Sequence, residues 1–278
     1  MNDAKTNPQE QKAAIAFSSQ APIFDALYST DDIIQYKRKR VRQHLQRYLS
    51  PTSNILELNS GTGEDAIWFA QQGHRIHATD ISEKMQEVLE NKVKSHQLQN
   101  KISNELCSFT NLDRLHFKGP YDMIFSNFAG LNCTHELEKV LASLSALLRP
   151  GGIVTLVILP RFCLWEFLLI FKGMFATATR RQRSSKGVAA KIEDNMFNCW
   201  YYNPSFVVRH MKNDFILLKT EGLCTIVPPS YISGFAKKYP RLFKWLTVKE
   251  NKWKESWPWR FIGDYFIISL QKKTGANL

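Results

Sequence analysis

The sequence predicts an α/β fold built on a doubly wound, mostly parallel sheet, and three observations support this prediction. Short apolar segments alternate with longer amphipathic ones between residues 54 and 159, as strands do when helical crossovers connect them. A turn with two glycines, Gly61 and Gly63, separates the first predicted strand from the first predicted helix. Two more apolar segments near the carboxyl terminus bring the predicted sheet to seven strands.

The region before these segments is predicted to have two parts. Residues 1–20 begin with MNDAKTNPQEQK, which lacks the apolar core of a secretory signal and predicts a flexible tail. Residues 21–50 place Val41, Leu45 and Leu49 on one helical stripe and predict an N-terminal helical cap. Since no apolar run approaches the roughly 20 residues that span a bilayer, we expect a cytoplasmic protein.

The alternating region predicts five strands and three helices. The strands are NILEL, RIHATD, KISNELCSF, YDMIFSN and IVTLVIL. The helices are EDAIWFAQQG, SEKMQEVLENKVKSHQL and HELEKVLASLSALLRPGG, where Ser82 is the expected N-cap of the second and Pro150-Gly151 ends the third. The later strands DFILLKTEG and DYFIISL complete the sheet, so residues 51–278 are predicted to form one domain.

Two aromatic-rich segments interrupt the end of this domain, at about 160–202 and 226–262, and predict insertions after strands five and six. The first contains RFCLWEFLLIFKGMF, which is too short to cross a membrane and predicts a helix that covers a pocket or lies on a surface. The second places four tryptophans among lysines. Both insertions are expected to cover a substrate.

The formal net charge of +12 comes largely from three basic clusters, Lys37–Arg47, Arg180–Lys186 and Lys237–Arg260. A positive field attracts nucleic acid, anionic membranes or acidic small molecules, but for any single cluster a solvated helix face is the favoured interpretation. The five cysteines are scattered and never form a C-x-x-C pair, which is typical of reduced thiols. We therefore expect no metal site.

The predicted first strand ends at a carboxylate, Glu57, and the second ends at Asp80, 23 residues later. Ligands of an open parallel sheet bind beyond the carboxyl ends of its strands, so both acids are expected near a nucleotide-like ligand. The structural alternative is that Glu57 caps a turn and Asp80 caps a helix. The motif GTGEDA also fits a dinucleotide site, but a carboxylate beside the loop repels a pyrophosphate and suits a ligand with an ammonium group.

Three segments, ILELNSGTGEDAIWFAQQGHRIHATDISEKM, YDMIFSNFAGLNC and LSALLRPGGIVTLVIL, resemble class I S-adenosylmethionine-dependent methyltransferases of a bacterial small-molecule branch. The resemblance covers about residues 55–159 and implies a Rossmann-like, mostly parallel seven-stranded sheet, with S-adenosyl-L-methionine as cofactor. The site residues that it implies are Glu57, Asn59, Ser60, Gly61 and Gly63 at the methionine part, Asp80 at the ribose, Ile81 and Met85 at the adenine, Ser108 and Phe109 after the third strand, and Ser126, Asn127 and Phe128 beneath the sulfonium.

The chain departs from this family at two positions. Asn59 stands where the family usually has its first glycine, and asparagine tolerates the left-handed backbone angles that such a loop needs. Ser108 stands where the family usually has an acid that contacts adenine.

Methyl transfer from a sulfonium needs alignment in a dry pocket, and a hydroxyl or amine acceptor also needs a base. We name His135 and Tyr28 as candidate catalytic residues. The alternative for His135 is a residue at the start of a helix without a catalytic role, and the alternative for Tyr28 is an aromatic side chain that covers the ligand. The segment SNFAG after the fourth strand lacks the N-P-P-Y-type loop of enzymes that methylate the amines of bases, which counts against nucleic acid.

Three functions remain open on the sequence. The first is methyl transfer at oxygen to a small, partly apolar substrate, lipid-like or aromatic and with an acidic end. The second is a nucleic-acid methyltransferase, and the third is a non-catalytic S-adenosylmethionine-binding regulator. The lysine-flanked tryptophans also predict peripheral contact with an anionic membrane, at its inner face.

Overall fold

A computed structural model describes residues 7–275 and contains a seven-stranded sheet. The strands of the chain are β1 (Asn54–Leu58), β2 (Arg75–Asp80), β3 (Ile102–Leu106), β4 (Tyr121–Ser126), β5 (Leu148–Ile158), β6 (Val188–Ile192), β7 (Asn195–Cys199), β8 (Phe215–Leu223) and β9 (Tyr265–Lys272). The sheet has the order β3-β2-β1-β4-β5-β9-β8, in which β9 alone runs antiparallel to its neighbours, and β6 and β7 form a separate hairpin. The predicted α/β fold is confirmed.

Helices cover both faces of the sheet. They are α1 (Pro8–Gln20), α2 (Phe24–Ser29), α3 (Asp32–Gln46), α4 (Glu64–Gln71), α5 (Glu83–Ser95), α6 (Leu137–Leu147), α7 (Leu164–Phe167), α8 (Phe175–Thr179), α9 (Pro204–Met211), α10 (Phe235–Lys238) and α11 (Pro240–Trp253). Apolar side chains of α3, α4 and α5 form the core on one face, and those of α6 and α9 form the core on the other. None of these helices combines the length and the apolar composition of a membrane-spanning segment.

The N-terminal region differs from the predicted flexible tail of residues 1–20. Residues 1–6 lie outside the described residues, but Pro8–Gln20 form α1, whose first turn is capped by the Asn7 side chain. Helix α1 buries Ala13 and Ala16 against Phe197 of the hairpin. Alanines give only a weak amphipathic pattern, which explains why the sequence suggested a tail.

Helix α3 carries most of the basic cluster Lys37–Arg47, yet Lys37, Arg38 and Arg40 are buried rather than solvated. Arg40 is 2% exposed and donates to Glu221 at 3.1 Å and to Glu250 at 3.4 Å. The buried His44 ring contacts Glu221 at 2.9 Å through Nδ1. These buried ion pairs attach the N-terminal cap to β8 and α11.

Both predicted insertions leave the sheet at the carboxyl ends of β5 and β8, and each is attached through a buried carboxylate. In the first, Arg181 donates to Glu166 at 2.6 Å and to Asp264 at 2.7 Å. In the second, Glu250 accepts four backbone N–H groups, from Cys224, Thr225, Ile226 and Val227, at 2.8–3.0 Å.

Substitution of Glu250 tests this attachment. Glu250→Ala leaves four backbone donors without their acceptor and removes one of the two carboxylates beside Arg40, so we expect the free energy of unfolding to fall by about 3–5 kcal/mol. Urea denaturation measures the change. The matched control is Glu255→Ala, since Glu255 is 42% exposed and its loss is expected to cost less than about 1 kcal/mol. Equal losses for the two variants would contradict the assignment.

Candidate functional site

The carboxyl ends of β1, β2 and β4 meet at one edge of the sheet. Leu58 is in register with Thr79 on one side and with Ser126 on the other. The loop that follows β1 and the residues that follow β2 and β4 therefore surround one space, with the first turn of α4 beside it.

Asn59 joins the loop after β1 to the loop after β4. Its backbone is left-handed, with φ +49°, as the sequence predicted for this position. Its side chain donates to the Asn127 carbonyl at 2.9 Å and accepts from the Ser126 hydroxyl at 2.5 Å. A Cβ atom at Gly130 would lie 2.3 Å from Asn59 Cγ, so this contact requires glycine there.

Two consecutive residues after β4 have left-handed backbone angles, Phe128 with φ +49° and Ala129 with φ +61°. Neither is a glycine, so each costs roughly 1–2 kcal/mol of backbone strain. The Arg38 guanidinium lies 4.8 Å from the centre of the Phe128 ring. The strained turn thus holds an aromatic side chain beside a buried cation.

Asp80 accepts from the backbone N–H of Gly61 at 2.8 Å and from that of Ser82 at 2.9 Å. Burial raises the pKa of this carboxyl, and the two hydrogen bonds oppose the rise. The bond from Ser82 is the contact at the start of α5 that is expected if Asp80 caps a helix. The remaining lone pairs of the carboxyl group are available to a ligand.

Glu57 and Asp65 are two buried carboxyl groups with opposite electrostatic environments. Burial opposes the ionisation of Asp65, but Arg38 at 3.1 Å and Arg42 at 2.7 Å outweigh it and lower the pKa of this carboxyl. Burial, and then repulsion by Asp65, raise the pKa of Glu57 well above its ordinary value. Asp65 is thus held as an anion, whereas no cation of the described residues lies within ion-pair distance of Glu57.

These groups surround a cleft of about 840 Å³ including its mouth. Ten of the thirteen predicted cofactor-binding residues line it: Glu57, Asn59, Ser60, Gly61, Asp80, Ile81, Met85, Phe109, Asn127 and Phe128. The other three support the walls. Gly63 is left-handed with φ +77° and lies so close to α5 that a Cβ would meet Leu89 at 2.0 Å. Ser126 bonds Asn59, and Ser108 bonds Glu10.

The remaining wall includes residues that the sequence did not single out. Helix α1 contributes Glu10, Ala13, Ala14 and Phe17, α2 contributes Phe24, and α3 contributes Arg38. No motif marks these positions, because they become neighbours of the cleft only through the packing of the three N-terminal helices against the rest of the chain.

Glu10 lies where the sequence lacks the expected acid after β3. One oxygen of this 1% exposed carboxyl accepts from the Ser108 hydroxyl and, at 3.2 Å, from the Thr110 hydroxyl. Burial raises the pKa of Glu10, against these two hydrogen bonds. A carboxyl group from α1 therefore stands beside the serine that replaces the acid.

Among the described residues that line the cleft, neither predicted catalytic residue appears. His135 is exposed, and its ring centre lies 5.5 Å from that of Trp200. Tyr28 is half-buried and packs at 4.6 Å against Phe24, which does line the cleft. Burial raises the pKa of Tyr28, so its hydroxyl stays protonated at neutral pH.

Three residues of the lining have a buried polar atom without a hydrogen-bond partner among the described residues. They are Glu57 (Oε2), Glu10 (Oε1) and Arg38 (Nε). Buried polar groups are normally paired, so these three atoms are suited to contact a ligand. Two acceptors and one cationic donor fit a ligand with an ammonium group, a carboxylate and a further N–H donor.

Comparisons with known proteins agree with this arrangement. Residues 55–152 match the family described as a methyltransferase domain. An uncharacterized methyltransferase of Synechocystis sp. is 28% identical over 153 residues, which cover 54% of this chain and 68% of that protein.

Two solved structures share the fold over nearly the whole chain. The [4+2]-cyclase SpnF has a TM-score of 0.63 at 13% identity and covers 98% of each chain. The 1,6-didemethyltoxoflavin-N1-methyltransferase of Burkholderia thailandensis, with bound 1,6-didemethyltoxoflavin and S-adenosylhomocysteine, has a TM-score of 0.55 at 15% identity, over 99% of this chain and 94% of that one.

The raised pKa of Glu57 predicts a pH-dependent gain of stability on removing its charge. Because folding raises the pKa of Glu57, the folded protein binds this proton more tightly than the unfolded chain does. The resulting stabilisation is complete below the pKa of the unfolded state and is lost as the pH rises through the pKa of the folded state. We therefore expect Glu57→Gln, without ligand, to unfold with a free energy about 1 kcal/mol higher than wild type at pH 8. Urea denaturation from pH 4.5 upward measures the difference.

The control for this prediction is Glu83→Gln, because Glu83 is exposed on α5. Its stability should follow that of the wild type across the range. A Glu57→Gln curve that also follows wild type would show that Glu57 is paired in solution.

Proposed function

We infer that this chain, which is a class I S-adenosylmethionine-dependent methyltransferase, transfers the methyl group to an oxygen of a small, partly apolar metabolite. S-Adenosyl-L-methionine supplies an electrophilic methyl group on a sulfonium. The observation that carries the proposal is the set of three unpartnered polar atoms, on Glu57, Glu10 and Arg38, in one cleft beside aromatic side chains.

Glu57 and Arg38 are proposed to hold the amino-acid end of the cofactor. The free Oε2 of Glu57 suits an α-ammonium group, and the free Nε of Arg38 suits an α-carboxylate. A pyrophosphate would use the cationic donor but would be repelled by Glu57. This pair therefore supports an amino-acid nucleoside over a dinucleotide.

Asp80 and Glu10 are proposed to hold the adenosine end. Asp80 closes β2 and is fixed by two backbone N–H groups, which leaves lone pairs for the ribose hydroxyls. Ile81, Met85 and Phe109 supply apolar walls for the adenine ring. Glu10 takes over the role of the missing acid, since its free oxygen can accept from the exocyclic amine.

The chain contributes alignment and exclusion of water rather than a strong base. Asn127 accepts from the N–H of Phe128 at 2.8 Å and donates to Asp65 at 2.8 Å, so its side chain is occupied within the protein. This supports an oxygen acceptor over an exocyclic amine held by the loop after β4. We propose that Tyr28, which packs against the lining residue Phe24, orients the acceptor as a hydrogen-bond donor. We assign His135 no role because it is exposed and packs against Trp200, which does not line the cleft.

The acceptor side of the cleft supports an apolar substrate. Phe17, Phe24 and Phe128 line it together with Ala13 and Ala14 of α1. A lipid-like or aromatic group can lie against these side chains, while water is kept from the reacting atoms.

The direct test is incubation of the protein with methyl-labelled S-adenosylmethionine and small-molecule extracts, followed by mass spectrometry of the products. We expect release of S-adenosylhomocysteine together with one labelled apolar product. Calorimetry with the cofactor alone tests cofactor binding separately from the choice of acceptor. If the cofactor binds but no compound in the extracts is methylated, the proposed substrate class is wrong. No binding at millimolar cofactor would refute the site.

Loss of the acids should weaken cofactor binding. We expect Asp80→Ala and Glu57→Gln each to reduce the binding free energy of S-adenosylmethionine by about 1–3 kcal/mol, because each removes a charged acceptor from a buried ligand. Isothermal titration calorimetry measures the dissociation constants, and Glu83→Gln is the exposed control. An unchanged constant for Asp80→Ala would show that the ribose lies elsewhere.

The role of Glu10 is tested by ligand discrimination. If its free oxygen accepts from the adenine amine, wild type should prefer S-adenosylhomocysteine over the analogue with a 6-oxo purine by about tenfold. Glu10→Ala should remove most of this preference. If α1 merely closes the cleft, the variant will bind both ligands more weakly and keep the preference.

A further inference from the structure

Two segments of the chain, residues 160–186 and 224–254, combine many cations with almost no acids. The first has six basic residues and the second has seven, but each has one acid, Glu166 and Glu250 respectively. Both acids are buried, with 2% and 0% exposure. These segments belong to the two insertions, so neither is part of the sheet that holds the cleft.

The two acids make their contacts inside the protein. Glu166 accepts from Arg180 at 2.7 Å and from Arg181 at 2.6 Å. Glu250 accepts from Arg40 and from the backbone of its own insertion. The next acid along the chain, Glu255, accepts from Lys219 at 2.9 Å. The outward side of both segments therefore carries cations without carboxylates between them.

Large apolar side chains are exposed on the same two insertions. The exposed fractions are 83% for Phe171, 78% for Trp257, 62% for Phe175, 61% for Val248 and 54% for Trp245. A set of large exposed apolar side chains of this kind is typical of an interaction site. We call these five residues, together with Lys244, Lys249 and Lys252, the basic-aromatic surface.

The two insertions are in direct contact, and each contributes exposed side chains to one groove. Trp165 donates to the Thr225 carbonyl at 3.1 Å, and Leu164 donates its backbone N–H to Ile262 at 2.9 Å. An apolar groove between them is lined by Leu168 from the first insertion and by Trp245 and Lys249 from the second. Lys249 Nζ lies 5.3 Å from the centre of the Trp245 ring.

We propose that the basic-aromatic surface binds an anionic lipid bilayer. Cations attract the headgroups, while aromatic and aliphatic side chains enter the interface between headgroups and acyl chains. Val248 and Leu242, the latter 45% exposed, offer no face for base stacking, which favours a bilayer over single-stranded nucleic acid. Both insertions follow strands whose carboxyl ends lie on the same side of the sheet as the cleft, so the proposed bilayer lies on that side of the molecule.

The test is flotation of the full chain with vesicles of phosphatidylcholine, with and without phosphatidylglycerol. We expect binding only with phosphatidylglycerol, and weaker binding as salt is raised. The triple variant Lys244→Gln, Lys249→Gln, Lys252→Gln should partition about 100-fold more weakly. The matched control Lys84→Gln, Lys94→Gln, Lys118→Gln removes the same charge elsewhere and should bind as wild type does.

A second variant, Phe171→Ser with Trp257→Ser, keeps the charge and removes the two most exposed aromatic side chains of the surface. It should bind at least tenfold more weakly, and brominated acyl chains should quench the tryptophan fluorescence of wild-type protein. Equal losses in the two lysine triples, or absence of vesicle binding, would overturn the proposal. Full competition by an RNA or DNA oligonucleotide at physiological salt would assign the surface to nucleic acid. None of these outcomes depends on whether the cofactor binds.

Discussion

Helix α3 places Arg38, Arg40 and His44 in the interior, where they contact carboxylates of α4, β8 and α11. Because a buried charge without a partner is costly, each of these contacts fixes the position of both elements. Arg38 and Arg42 lower the pKa of Asp65 against the effect of burial. Burial, and then the charge of Asp65, raise the pKa of Glu57. The cations of the N-terminal cap therefore influence the pKa values of both carboxyl groups in the cleft.

The cleft combines atoms that the protein pairs fully with atoms that it leaves unpaired. The Asn59 side chain donates to the Asn127 carbonyl, and the Asn127 side chain donates to Asp65. These bonds hold the loops after β1 and β4 in strained backbone conformations. Glu57, Glu10 and Arg38 each keep one buried polar atom without a partner. Such strain and such unpaired groups reduce stability, and they are found where a ligand compensates for them.

The sheet and most of the cleft could be predicted from the sequence because local patterns encode them. Strand-helix alternation indicates the topology, and Asn59, Gly61 and Gly63 mark a loop whose backbone needs left-handed angles. Helix α1 was not predictable, since its buried face consists of Ala13 and Ala16, which leave little periodic signal. The burial of Arg40 was also hidden, because its partners Glu221 and Glu250 lie more than 180 residues away.

Helix α1 lines the cleft but belongs to neither core of the sheet, so a protein without it could fold and still lack a closed binding site. A protein shortened to begin at α2 would keep the seven strands and both apolar cores, in which α1 has no part. It would nevertheless lose Glu10 and the alanine and phenylalanine side chains that enclose one side of the ligand space. Circular dichroism and thermal melting would then indicate a folded protein, even though its cleft was open to water.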